Sequence, residues 1–110
     1  MKLTKEATRE LQEKYSYLTN YEVEDPDASI DPLTYVDSNG DALLHIAVQQ
    51  GDTRTVEVLL AAGVDVNLLG DVGNTALHYA QTGEMVELLL AHGASADICN
   101  EFGKPPALKR

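Results

Sequence analysis

Tryptophan is absent from these 110 residues, phenylalanine occurs once, and aromatic residues make up only 5%. A core without large aromatics has to be built mainly from Leu, Val and Ala, which suits closely spaced small helices better than a β-sandwich. Cysteine also occurs once, as Cys99, so no intrachain disulfide can form. Such sparse use fits a reducing compartment. Positive charge is scarce: 8 Lys and Arg face 18 Asp and Glu, for a formal net charge of -10. A chain this acidic repels phosphate backbones and anionic headgroups, which argues against nucleic acid and membranes as partners. Long hydrophobic runs are missing as well. No stretch approaches the roughly 18 apolar residues of a membrane span, and the first ten residues lack the apolar run of a secretory signal. A soluble, cytoplasmic protein is expected.

What is present is a hydrophobic content of 44%, enough for a packed core in a chain of one-domain length. Much of it is organised as an internal repeat. The stretch Asn39 to Ala47 aligns with Val72 to Ala80, and Leu59 to Asn67 aligns with Leu89 to Asp97. Gly40 and Gly73 are 33 residues apart, as are His45 and His78, and a third copy opens at Phe102-Gly103 before Pro105 and Pro106. Gly40 and Gly73 sit where a tight turn needs positive φ. A short helix is predicted after each, from about Leu43 to Gln50 and from about Ala76 to Thr82, with Thr75 placed to cap the second. Gly51 and Gly83 are expected to close these helices. A second helix follows in each copy, roughly Thr53 to Ala62 and Glu84 to His92. Val56, Leu59 and Leu60, and likewise Val86, Leu89 and Leu90, give each one an apolar face.

These residues resemble the ankyrin repeat. The first copy carries Asp37, Gly40, Leu44, His45, Ala47, Gly51, Leu59-Leu60 and Gly63-Val64-Asp65-Val66-Asn67; the second carries Gly73, Thr75, Leu77, His78, Ala80 and Gly93-Ala94. The resemblance spans about Asp37 to Pro106. It implies an all-α solenoid of helix-turn-helix repeats with turn or β-hairpin tips. There would be two full repeats, residues 37-69 and 70-99, and a partial third over 100-110. Two departures stand out. Ala42 and Leu43 replace the expected Thr and Pro, removing a hydroxyl cap at a cost of about 1 kcal/mol. The second copy spans 30 residues between glycines instead of 33, and the shortage falls between Ala80 and Val86, so a trimmed first helix or a tighter turn is expected. Short, acidic, free-standing chains of this kind look most like bacterial members of the family.

Ahead of the repeats, Leu3, Ala7, Leu11, Tyr15 and Leu18 recur every three or four residues, so residues 4 to 18 read as an amphipathic helix capped by Thr4. Glu22 to Pro32 holds two prolines and five acids and reads as an irregular linker. Residues 1-36 are expected to cap the stack, because two repeats and a fragment bury too little on their own.

Catalytic and metal chemistry finds little support. No Ser, Cys or Asp stands at a spacing that makes a triad with His45 or His78, and the resemblance implies that this histidine ties neighbouring turns together. His45, His78, His92 and Cys99 form no close-spaced zinc pair. Asp37 to Asp41 glances at a calcium loop, but its glycine comes fourth instead of sixth and Val48 stands at position twelve. Cys99 has no cationic neighbour to activate it, and Gly70 to Gly73 is too short for a phosphate loop. No enzyme, no metal and no cofactor are expected.

What remains is the surface. The resemblance implies a concave face made of turn tips and first helices. At the tips this selects Ser38, Asn39 and Asp41, then Asp71, Val72 and Asn74; on the first helices it selects Gln49, Gln50, Gln81 and Thr82. These positions are expected to carry no packing duty. From Asp37 to Asn100 a single basic residue, Arg54, faces nine acids, with Asp41 and Asp71 on the tips. The expected function is therefore recognition of a protein, favoured by charge to be a basic one, with inhibition of a toxin or nuclease as one form. Two alternatives remain: self-assembly through the exposed end near Ala94 to Pro106, making a weak homodimer instead of a monomer, and a fragment of a longer ankyrin scaffold.

Overall fold

The computed structural model describes residues 3-15, 32-33 and 35-106. Its helices are α1 (Lys5–Lys14), α2 (Leu43–Gln49), α3 (Thr53–Ala61), α4 (Ala76–Tyr79) and α5 (Gly83–Ala91), with a 3-10 turn at Asp71–Gly73 ahead of α4. Helices α2 and α3 pack as one antiparallel pair and α4 and α5 as the next; α2 lies on α4, and α3 on α5. The all-α solenoid is as the sequence implies. Of the expected turn or β-hairpin tips, the described residues form turns, with one isolated antiparallel bridge between Val36 and Ala42.

Local signals explain where the helices start and stop. Thr4 accepts the Ala7 N–H at 3.0 Å and opens α1. Asp52 opens α3 through the Thr55 N–H at 3.2 Å, and Thr82 opens α5 through the Met85 N–H at 3.2 Å. Behind α2, α3 and α5 the chain turns through Gly51, Gly63 and Gly93, all at positive φ. Helix α4 has no such glycine. It ends after four residues when Ala80 turns extended, at ψ 127. The expected helix over residues 76 to 82 is thus trimmed by the missing residues, and Gly83 starts α5 instead of closing α4. Helix α1 ends at Lys14; the predicted continuation to residue 18 and the acidic linker fall outside the described residues.

One apolar core runs through the stack. Helix α2 sits at its centre, with Leu43, Leu44, His45, Ala47 and Val48 all buried. Val56 and Leu59 come from α3, and Val86 and Leu89 from α5; all four are fully buried, while Leu60 and Leu90 lie nearer the edge. Leu11 of α1 and Tyr15 just past its end belong to this same core.

The junction of α1 with α3 is polar at its rim. The Tyr15 phenol donates to Asp52 Oδ2 at 2.7 Å, the Thr55 hydroxyl to the same oxygen at 2.6 Å, and Lys14 Nζ lies 3.3 Å from it. Burial pushes the Asp52 carboxyl up. The donors from Thr55, Tyr15 and Lys14 outweigh that effect and leave it below the usual carboxylate range. A lowered folded-state pKa means that its stabilisation is present above the unfolded value of about 4 and is lost as the pH falls through the folded value. Asp52→Ala is therefore expected to lower the unfolding free energy by about 1.5–3 kcal/mol at pH 7. The loss should shrink as the pH approaches 2, read from urea midpoints at both pH values.

Candidate protein-recognition face

Three turns carry the exposed edge of the stack, and each closes in the same way. The Asp37 N–H donates to Asp41 O at 2.9 Å, Gly70 N–H to Asn74 O at 2.7 Å, and Asn100 N–H to Lys104 O at 2.9 Å. Asp37 and Asn100 brace their own turns. Asp37 Oδ1 accepts the Asn39 and Asp41 N–H groups, and Asn100 Oδ1 those of Phe102 and Lys104. Gly70 has no side chain to do this, and one added there would force its neighbours to shift. A Cβ there would overlap Asp41 Oδ1 and come within 3.0 Å of the His45 ring.

Asp41 supplies the missing brace from the preceding turn. Its Oδ1 accepts the Asp71 N–H at 2.8 Å and the Tyr79 hydroxyl at 2.9 Å. The Tyr79 phenol is pushed up to about 12, first by burial and then by the neighbouring Asp41 carboxylate. The middle turn also holds Val72 at φ 47, a left-handed conformation that a β-branched residue adopts only under strain. Two bonds from the third turn reach it: the Glu101 N–H donates to Val72 O at 2.9 Å, and Asn100 Nδ2 to Asn74 Oδ1 at 2.9 Å.

Beneath the turns stand the two repeat histidines. The Ala42 N–H donates to His45 Nδ1 at 2.9 Å, so the ring proton sits on Nε2, which donates to Leu68 O at 2.8 Å. His78 repeats this, accepting the Thr75 N–H at 2.9 Å and donating to Lys104 O at 3.0 Å. The histidine ring takes the N–H of Ala42 and of Thr75 alike, while the Ala42 side chain gives α2 no cap, as the sequence implied. The Thr75 hydroxyl lies 3.0 Å from the His78 nitrogen and takes no N–H of the helix.

The selected surface residues divide into two groups. Gln49, Gln50, Gln81 and Thr82 come together around one cavity of about 220 Å³, with Val48 and Met85 beneath them. The tip residues do not line it. Ser38 and Asn39 are exposed on the first turn, while Asp71, Val72 and Asn74 are half-buried on the second. Asp41 requires a correction: only 6% of it is exposed, and its carboxylate is committed to the fold. Asn74 and Thr82 also carry structural bonds, so the expectation that these positions have no packing duty fails for all three. Sequence reasoning passed over Tyr79 and Gly70. A signal was there, since aligning the turns puts Gly70 where Asp37 and Asn100 stand.

Asp41→Ala removes the acceptor for two donors and is expected to cost about 1.5–3 kcal/mol of stability in thermal or urea unfolding. Val72→Asn tolerates the left-handed conformation and is expected to raise stability by about 1 kcal/mol in the same assay.

Among the described residues no group of three or more His, Cys, Asp and Glu could hold a metal ion, and no helix is long and apolar enough to cross a membrane. A family model described as ankyrin repeats (3 copies) matches residues 8–106. A putative ankyrin repeat protein of Acanthamoeba polyphaga mimivirus is 40% identical over 76 residues, covering 66% of this chain and 18% of its own length. The ankyrin and IPT/TIG repeat-containing protein of Schizosaccharomyces pombe is 34% identical over 77 residues, covering 67% and 7%. Ankyrin repeat domain-containing protein 40 of Homo sapiens is 40% identical over 67 residues, covering 57% and 18%. The chain thus spans less than a fifth of each of these relatives, which are viral and eukaryotic; none of them supports the bacterial likeness that the sequence suggested. With the model match running over both helix pairs and all three turns, the chain belongs to the ankyrin-repeat family.

Proposed function

We propose that this chain recognises a basic protein through the face formed by its turn tips and the ends of α2 and α4. The architecture is that of a protein-interaction scaffold, not a catalytic one. The observation that carries the reading is the shared cavity at which Gln49, Gln50, Gln81 and Thr82 meet. Between Asp37 and Asn100 the sequence holds nine acids against one basic residue, and Glu57, Asp65, Glu84, Glu87 and Asp97 stand exposed, as do Ser38 and Asn39. Charge of one sign steers an oppositely charged partner and sets its orientation. Asp41 is spent inside the fold, so the tip acids offered to a partner are Asp71 and Glu101. Helix α1 serves this face indirectly by closing the open side of α3 through Leu11, Tyr15 and the Asp52 contacts. Occlusion of a toxin or nuclease is one form such binding takes.

A second reading, self-assembly, rests on a different observation. Phe102, on the third turn at the end of the stack, is 70% exposed. One experiment separates the two. The chain is used to capture proteins from its source at about 50 mM salt, and the recovered protein is then titrated at low and high salt. The expected result is a basic partner whose affinity falls about tenfold or more with Asp71→Lys and Glu101→Lys combined. A partner indifferent to both salt and reversal would overturn the charge reading. Recovery of the chain alone as a concentration-dependent dimer, abolished by Phe102→Ser, would replace it with self-assembly.

A further inference from the structure

The three residues missing from the second helix pair leave a space. With His45 and His78 in register, Val48 and Gln49 of α2 correspond to Gln81 and Thr82, which lie beyond the end of α4. The last turn of α2 therefore runs past its neighbour, and the cavity of about 220 Å³ opens there. Val48 and Met85, each 1% exposed, form its apolar floor. Gln49 and Gln81 stand exposed at its rim, and Thr82 is held as the cap of α5.

We propose that this cavity is a subsite for one uncharged aliphatic side chain, of leucine or methionine size, carried by the partner segment that crosses the recognition face. It rests on the recognition reading above and narrows it. Three features favour this occupant. No lining side chain carries a charge, so a guanidinium or ammonium placed on the Val48 and Met85 floor would be desolvated with nothing to pair it. The volume lies below the roughly 300–1,000 Å³ of cofactor and drug-sized sites, which suits one side chain and not a free metabolite. The Gln49 and Gln81 amides each offer a donor and an acceptor, so they can hydrogen-bond the main chain on either side of the inserted group. Positive residues of the partner stay outside, against the acids. A central apolar anchor ringed by polar contacts is the usual form of an interaction hot spot.

The test uses the full chain with methyl-labelled methionine and valine, titrated with capped single amino acids. N-acetyl-leucine methylamide is expected to shift the Met85 and Val48 methyl signals saturably, with little change between about 50 and 500 mM salt because no charge is involved. The arginine analogue should bind at least about fivefold more weakly, and the glycine analogue should give no saturable shift. Gln81→Trp, which covers the mouth, should abolish the leucine response with the helical circular dichroism unchanged. A second variant, with three alanines inserted after Ala80 to lengthen α4, should do the same. Absence of a saturable leucine shift, equal binding of arginine, or a response surviving in both variants would overturn the subsite. Salt-sensitive capture of a basic partner would then still stand on its own, whereas a leucine response without such capture would keep the subsite and remove the charge reading.

Discussion

The rest of this structure depends on one imidazole. His45 is fully buried at the centre of the stack, accepts the N–H that opens α2 and donates to Leu68 O in the segment leading to the next turn. One rigid ring thus sets both the start of a helix and its distance from the following unit. The consequences propagate. A side chain at residue 70 would press on this ring at 3.0 Å and displace the Asp41 carboxylate, which favours glycine there. Without a side chain at position 70 the middle turn cannot brace itself, as Asp37 and Asn100 do for theirs. Asp41 reaches across from the preceding turn, and Tyr79 meets the same oxygen with its ring nearly perpendicular to that of His45. The conformation left to Val72 is the strained residue of that arrangement.

The loss of three residues acts at the opposite edge. Helix α4 keeps the part that carries Leu77 and His78, because burial and the Lys104 bond hold it, and gives up the turn that would have continued toward solvent. The core loses nothing, since Ala80, Met85 and Val86 remain buried. What changes is the outer surface, where α2 outruns its neighbour and a depression forms over buried apolar side chains. The missing residues are thus tolerated by the core and reshape the edge beside the ends of α2 and α4.

Acidic side chains play two roles that composition alone does not separate. Asp41 and Asp52 are structural acceptors, each collecting donors from a neighbouring element; Asp52 joins α1 to α3 through Tyr15, Lys14 and Thr55. Asp71, Glu101 and the exposed acids of α3 and α5 are left to the solvent side. Each hydrogen-bonded carboxylate stiffens the stack, while the exposed ones determine its long-range field.

The sequence by itself determined the family, the helix pairs and the glycine turns at Gly51, Gly63 and Gly93, though not the end of α4. Those features follow from short-range periodicity and from backbone angles that few residues tolerate, both of which a linear pattern records. It also located the missing residues between Ala80 and Val86. Only the tertiary structure decided which tip acid is available. Asp41 and Asp71 look alike in the chain, and the difference comes from a bond that Asp41 makes across 30 residues. The tertiary structure likewise decided that the histidine ring takes the N–H of Ala42 and of Thr75 at the start of the first helices. It also decided that Gln49 and Gln81 share one cavity with Val48 and Met85, because such contacts depend on the spacing between stacked helices, and no single segment encodes that spacing.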